Sequence, residues 1–168
     1  MRRFENISKS KQNILREQFS HIYALYRAGE ESELNQLSVS VFDHWLRGNE
    51  VEIELSDVSS VMQAERDSKL HRFSCLLTEK TDAYLIQLKG IGKTTLVFKQ
   101  FLGEDGKIAT LKPLAYNFGS KGRFVIALPK LGVLYFEWWD FTHHFYYTNN
   151  ADLDPIREVA ESCDVYLL

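Results

Sequence analysis

The first 48 residues carry apolar side chains with the period of an α-helix. Apolar residues recur at spacings of three and four, first at Leu15, Phe19, Ile22 and Tyr26 and then at Leu34, Leu37, Val41 and Trp45. Such spacing places each set on one face of a helix. The first set predicts a helix over residues 9–28 that ends at Gly29, and the second predicts a helix over 33–47 that ends at Gly48. The two helices form a predicted hairpin.

From Val51 onward the apolar period changes to two, which is typical of a β-strand with one solvated face. The alternation predicts a first strand over residues 51–55, and the polar stretch over 57–68 permits either a loop or a short helix. Asp105-Gly106 is a strong hairpin signal, and short connections favour antiparallel neighbours. Further strands are predicted over residues 69–78, 83–89, 94–102, 107–117, 122–128 and 132–147.

The end of the chain predicts one more helix and a docked terminus. Asp154 precedes Pro155, the usual start of a helix, and apolar residues with helical spacing follow. The last four residues, 165–168, are apolar, so we expect them to dock as an edge strand or at a subunit contact.

Together these elements predict a single α+β domain over residues 1–168. Its parts are a helical hairpin over 1–48 and a curled antiparallel sheet of about six to seven consecutive strands over 50–147. A short C-terminal helix and a terminal apolar segment over 152–168 complete it.

Composition and charge narrow the class of protein. With 45% hydrophobic and 26% charged residues the chain is globular, and its net charge of −3 does not favour a nucleic-acid partner. Acidic and basic residues are segregated along the chain: the net charge is −7 over residues 31–68 and +7 over residues 69–130. No apolar run is long enough to span a membrane, and polar residues stand where a secretory signal needs its apolar block. Two distant cysteines form no disulfide framework, so we predict a cytoplasmic protein.

Residues 90–95 resemble the end of a phosphate-binding loop, in which backbone N–H groups wrap phosphates. The leading glycine of that motif is replaced by Gln87, and a strand is predicted where the motif needs a helix. We therefore predict a hairpin turn at this point and no cofactor.

Residues 137–147 form the most aromatic segment of the chain. As a strand, this segment is either a central strand covered on both sides or an aromatic wall that contacts a partner or a ligand. The candidate binding residues are Tyr135, Trp138, Trp139, Phe141, Phe145 and Tyr147.

The same segment holds the weak catalytic candidates Glu137, Asp140, His143 and His144. On a strand His144 shares a face with Asp140, and His143 shares a face with Glu137, so carboxylate-assisted histidine chemistry is conceivable. Adjacent histidines point to opposite faces and cannot bind one ion without a bulge, so no metal site is predicted.

The favoured interpretation is a non-enzymatic, homo-oligomeric cytoplasmic binding protein. It contacts a protein partner or a second copy of itself through the aromatic segment and the apolar C-terminus. One alternative is a cup for a small apolar ligand, lined by the same strand. Another is a hydrolase-like acid/base enzyme that uses Asp140 and His144.

Overall fold

Eight strands form one antiparallel sheet in the computed structural model, which describes residues 3–90, 95–113 and 124–168. The strand order is β1-β4-β3-β5-β6-β7-β2-β8, and each neighbouring pair is antiparallel. The strands are β1 (Phe4–Asn6), β2 (Asn35–Ser40), β3 (Tyr84–Lys89), β4 (Thr95–Phe101), β5 (Val125–Leu128), β6 (Val133–Glu137), β7 (Thr142–Tyr147) and β8 (Tyr166–Leu167).

Helices alternate with these strands along the described parts of the chain. They are α1 (Lys9–Ala28), α2 (Asn49–Val51), α3 (Ser60–Lys80), α4 (Gly103–Leu111) and α5 (Asp154–Cys163). A 3₁₀ turn over Glu31–Glu33 precedes β2, and a π-helical turn over Glu52–Ser56 continues α2. No described helix has the length and the apolar character that a membrane crossing requires.

The sheet carries a hydrophobic core on each face, because successive side chains of a strand point to opposite sides. Helix α1 covers one face, where the rings of Phe19 and Phe98 lie 6.3 Å apart. Helices α3 and α5 cover the other face, where Phe73 and Phe145 lie 6.1 Å apart. All five residues of β6 are buried, so the centre of the sheet is covered on both sides.

Helix α1 occupies the residues that the sequence predicts. The Ser8 hydroxyl accepts a hydrogen bond from the Lys11 backbone N–H at 3.2 Å, which satisfies one free donor of the first turn. Gly29 ends the helix in the left-handed conformation (φ 75°), which favours glycine.

The second predicted helix, over residues 33–47, is wrong. Residues Asn35–Ser40 form β2, which pairs with β7 along its whole length, from Asn35 opposite Tyr147 to Ser40 opposite Thr142. The apolar spacing is misleading because Leu34 and Leu37 belong to the sheet region, whereas Trp45 lies in the loop that follows β2. The helices are thus interspersed with the strands instead of preceding them.

The strands predicted over 51–55 and 69–78 are also wrong, because these residues are helical. Val51 and Ile53 alternate with glutamates, but both are exposed, so the alternation does not mark a buried strand face. Within residues 57–68, left open as loop or short helix, residues 60–68 form the first part of α3. The Ser59 hydroxyl caps this helix by accepting from the Met62 backbone N–H at 3.2 Å.

The hairpin predicted at Asp105-Gly106 is replaced by helix α4, so residues 107–111 are not a strand. The long strand predicted over 132–147 is a hairpin of β6 and β7, with residues 138–141 as its turn. Strands β3, β4 and β5 and helix α5 are found near their predicted positions, and β8 docks at the edge of the sheet beside β2. Residues 91–94 of the predicted glycine turn, and residues 114–117 and 122–123 of two predicted strands, lie outside the described residues.

Candidate functional site

The aromatic segment forms the centre of the sheet, so most of its side chains are buried in the monomer. Tyr135 and Phe145 stack at 4.5 Å within the core under α3, and Phe141 is buried beside them. Trp138, by contrast, keeps 37% of its surface exposed in the turn between β6 and β7. Trp139 and Tyr147 are partly buried. Of the predicted binding residues, Trp138 is therefore the most accessible.

His143 points into the core under α3, directly opposite Glu137 in the register of β6 and β7. Its Nδ1 lies 2.6 Å from the Tyr135 hydroxyl, which in turn lies 2.6 Å from the Ser74 hydroxyl. Ser74 donates to the backbone carbonyl of Leu70 at 2.9 Å. A chain of three hydrogen bonds therefore links β7 to the backbone of α3.

The positions of the protons in this chain follow from the last bond. The Leu70 carbonyl can only accept, so Ser74 donates to it, Tyr135 donates to Ser74, and His143 donates from Nδ1 to Tyr135. Burial lowers the pKa of His143 to about 3, with a smaller contribution from His144. Burial also raises the pKa of Tyr135 well above its usual value. Every member is neutral near pH 7, and His143 is only 1% exposed, which favours a structural role.

His144 points to the opposite face, where the end of β2 lies beside it. Its Nδ1 is 2.9 Å from the Ser38 hydroxyl and 3.1 Å from the Gln36 amide nitrogen. Gln36 also donates to Ser38 at 2.9 Å. All three bonds form when Nδ1 is the acceptor, so His144 carries its proton on Nε2. Burial lowers the pKa of His144 to about 4, and the ring is neutral near pH 7.

Two exposed tryptophans cover the His144 ring. Trp45 lies nearly parallel to the imidazole at a centroid distance of 6.3 Å, and Trp138 is steeply inclined to it at 5.7 Å. Trp45 is 44% exposed. The two indole planes therefore meet at a steep angle above one buried ring, and each presents part of its surface to solvent.

Charged side chains surround Trp45 in the loop after β2. The Nδ1 of His44 lies 2.5 Å from an Asp43 carboxylate oxygen, and its Nε2 lies 3.4 Å from a Glu50 oxygen. The hydrogen bond with Asp43 is the main cause that raises the pKa of His44. The Arg47 backbone N–H donates to Glu50, which is the main cause that lowers the pKa of this carboxyl. An open concavity of about 820 Å³ is lined by His44, Trp45, Arg47 and Glu50.

We call this region the tryptophan surface. It consists of the side chains of Asp43, His44, Trp45, Arg47, Glu50, Val51 and Trp138, together with the exposed Glu52 and Ile53 that follow Val51 in the chain. Trp45, Ser38 and Gln36 are candidates that the sequence pattern does not indicate, because the helix predicted over 33–47 conceals their places in a loop and a strand.

Arg66 of α3 fixes the tryptophan surface to the body of the protein. Its guanidinium lies 4.9 Å from the centre of the Phe42 ring and 5.4 Å from that of Phe141. The same group donates to the Glu54 backbone carbonyl at 2.6 Å and to the Glu54 carboxylate. Phe141 has a φ of 56°, a conformation that is strained for a bulky residue and persists only where its surroundings hold it.

We predict that Arg66→Lys loosens residues 42–56 and lowers the free energy of unfolding by about 1–2 kcal/mol. Lysine keeps the charge but lacks the planar fork that stacks on two rings and binds two oxygens. Hydrogen exchange measured by mass spectrometry checks this, with faster exchange expected in residues 42–56.

Lys80→Met is the matched control for that variant. It breaks the exposed ion pair of Lys80 with Glu158 and should change the free energy of unfolding by less than about 0.5 kcal/mol. Equal exchange of residues 42–56 in the wild type and in the Arg66 variant would contradict the role of Arg66.

The other candidate residues are poorly placed for catalysis or metal binding. His144 binds Ser38 and Gln36 through the nitrogen that a general base would use. Asp140 and Trp139 line a cleft of about 120 Å³, which is smaller than the roughly 300–1,000 Å³ of typical small-molecule sites. Within the described residues, no group of three or more His, Cys, Asp or Glu side chains could hold a metal ion.

Comparison with known protein families, curated protein sequences and solved structures found no match for this chain.

Proposed function

We propose that the protein is a non-enzymatic binding protein that holds a protein partner on the tryptophan surface. The observation that carries the proposal is the exposure of two indoles, 44% for Trp45 and 37% for Trp138, above a single buried histidine. Exposed aromatic residues grouped with other apolar side chains are typical of interaction sites. Val51 and Ile53 extend the group, because both are exposed within the adjoining helical turns.

The contacts around this surface support the same function. The Trp45 ring lies nearly parallel to that of His144 at 6.3 Å, Ser38 and Gln36 bind His144 by hydrogen bonds, and Arg66 packs on Phe42 of the same loop. A side chain that is already held in place loses little conformational entropy when a partner binds. Preorganised aromatic residues of this kind often dominate the binding energy of an interface.

The two alternative functions have less support. His143 is inaccessible, and the acceptor nitrogen of His144 is engaged, so neither is placed to take a proton from a substrate. The aromatic strand β7 is covered on both faces and does not form the wall of a cup. The proposal also places the protein in the cytoplasm, where the thiols of Cys75 and Cys163 stay reduced.

The test is a quantitative comparison of the proteins recovered from cell extract by the wild type and by the double variant Trp45→Ala/Trp138→Ala. We expect the double variant to lose its specific partners by about tenfold or more, because such anchors typically contribute over 1 kcal/mol each. The matched control is Ile14→Ala/Ile108→Ala, which removes two side chains that are 54% and 40% exposed elsewhere.

Circular dichroism and thermal unfolding establish that both double variants are folded. If the tryptophan variant recovers the same partners in the same amounts as the control, the tryptophan surface does not bind them and the proposed function is rejected.

A further inference from the structure

The tryptophan surface is acidic as well as apolar. Asp43, Glu50 and Glu52 lie within seven residues of Trp45 along the chain, and all three are exposed. The Asp43 and Glu50 side chains retain 69% and 52% of their surface. Against these three carboxylates stand Arg47, the one lysine or arginine among residues 41–56, and His44, which pairs with Asp43 and Glu50. The carboxylates near the two indole rings therefore create a negative electrostatic potential that attracts cations.

We infer that the partner binds through a polypeptide segment that carries both apolar and cationic side chains, with a lysine or arginine of that segment on the Trp45 ring beside Glu50. This inference rests on the proposed function. A cation over an indole face is attracted by the electrons of the ring, and a neighbouring carboxylate adds a direct charge interaction.

The same segment already makes this type of contact on its inner side. There the guanidinium of Arg66 lies over Phe42 while it binds the carboxylate of Glu54. On the outer side, Trp45 and Glu50 present an aromatic ring and a carboxylate in one concavity, which His44 and Arg47 also line. The His144 ring beneath Trp45 does not repel a cation, because both bonds at its Nδ1 require the neutral form.

Charge also decides between a different partner and a second copy of this chain. In a symmetric dimer each residue of the interface meets the same patch of the other subunit. A dimer through the tryptophan surface would therefore bring three carboxylates of each copy, those of Asp43, Glu50 and Glu52, against only Arg47 and the His44 ring of the other copy. Contacts between like charges would then outnumber the attractive contacts. A basic segment of another protein avoids this repulsion.

The experiment uses a short fluorescent peptide of leucine and lysine in amphipathic order, and a counterpart with glutamate in place of lysine. Fluorescence anisotropy measures the affinity of both peptides for the full chain. We expect the lysine peptide to bind at least about tenfold more tightly than the glutamate peptide, and its affinity to fall as salt is added.

Two variants locate the binding. Asp43→Asn/Glu50→Gln and Trp45→Leu should each weaken the lysine peptide by about five- to tenfold, the second because leucine keeps apolar area but has no ring. The matched control, Glu17→Gln/Glu161→Gln, removes two exposed carboxylates elsewhere and should change the affinity less than about twofold.

The inference is overturned if the control weakens binding as much as Asp43→Asn/Glu50→Gln, or if the glutamate peptide binds as well as the lysine peptide. It is also overturned if the full chain forms a dimer in sedimentation experiments that Trp45→Leu abolishes, because the occupant is then a second copy. A lysine peptide that does not bind, together with partners lost by the tryptophan double variant, rejects the cationic segment and leaves the proposed function standing.

Discussion

Acidification from pH 6.5 to pH 4.5 is expected to lower the free energy of unfolding by about 4 kcal/mol through His143 and His144, before the opposing contribution of Asp67. Both have an ordinary pKa of 6.5, and burial lowers the pKa to about 3 for His143 and about 4 for His144 in the folded protein. Between pH 6.5 and about pH 4 both histidines are protonated in the unfolded chain and neutral in the folded protein. The contribution of the two neutral rings to the free energy of unfolding is thus fully present above pH 6.5, and it is lost as the pH falls towards 4.

One carboxyl group opposes this loss. Burial raises the pKa of Asp67 to about 6 in the folded protein, from an ordinary value of 3.8. The folded chain therefore takes up this proton first, which stabilises it as the pH falls from 6 to 4. Asp67 is only half-buried, so solvent screening keeps its contribution below that of the two histidines.

Urea unfolding at a series of pH values measures the effect. His143→Asn and His144→Asn should each remove about half of the acid loss, whatever they do to stability at pH 7, and Asp67→Asn should make the loss steeper. Nuclear magnetic resonance titration of the folded wild type gives a second readout, in which both rings stay neutral down to about pH 4.5. Rings that titrate near pH 6.5 in the folded state would contradict the burial described here.

Local patterns predict the elements that have one buried face and clear end signals. Helix α1 has a regular apolar stripe, a serine cap and a terminal glycine, and α5 begins at Asp154-Pro155. Strands β3 and β4 lie where period-two alternation predicts them. In each of these elements the residues that the apolar spacing places on one face are buried or partly buried against the rest of the fold.

The pattern fails where exposed apolar residues imitate a buried face. Val51 and Ile53 alternate with glutamates, but they belong to the tryptophan surface and not to a strand. In α3 the buried residues Leu70, Phe73 and Leu77 have helical spacing, but the polar first half of the helix hides its length. Apolar side chains on an exposed surface weaken the signal on which secondary-structure prediction depends.

The candidate site is less predictable because it depends on pairing between distant segments. The aromatic segment itself is evident from composition, and His143 does lie opposite Glu137. The partners of His144 come from β2, whose Ser38 is 106 residues away in sequence. Only the insertion of β2 between β7 and β8 brings Ser38, His144 and Trp45 together, and no local pattern encodes that pairing.

Tyr135→Phe is expected to lower the free energy of unfolding by about 3 kcal/mol, although phenylalanine preserves the ring contacts. The phenolic oxygen accepts from His143 and donates to Ser74 in a region without solvent access. Its loss leaves the Nδ1–H of His143 buried without an acceptor, which costs more than the net value of one hydrogen bond. Tyr147→Phe, which removes the hydroxyl of a half-buried tyrosine, is the control and should cost less than about 0.5 kcal/mol.

A double-mutant cycle with Ser74→Ala shows whether the hydroxyls act as one chain. Ser74→Ala should cost about 1 kcal/mol or more in the wild type and less in the Tyr135→Phe background, because the bond between the two side chains is already absent there. Nitrogen chemical shifts should show His143 protonated on Nδ1 and His144 on Nε2. Additive effects in the cycle, or the same tautomer for both rings, would show that the proton order deduced from the Leu70 carbonyl is incorrect.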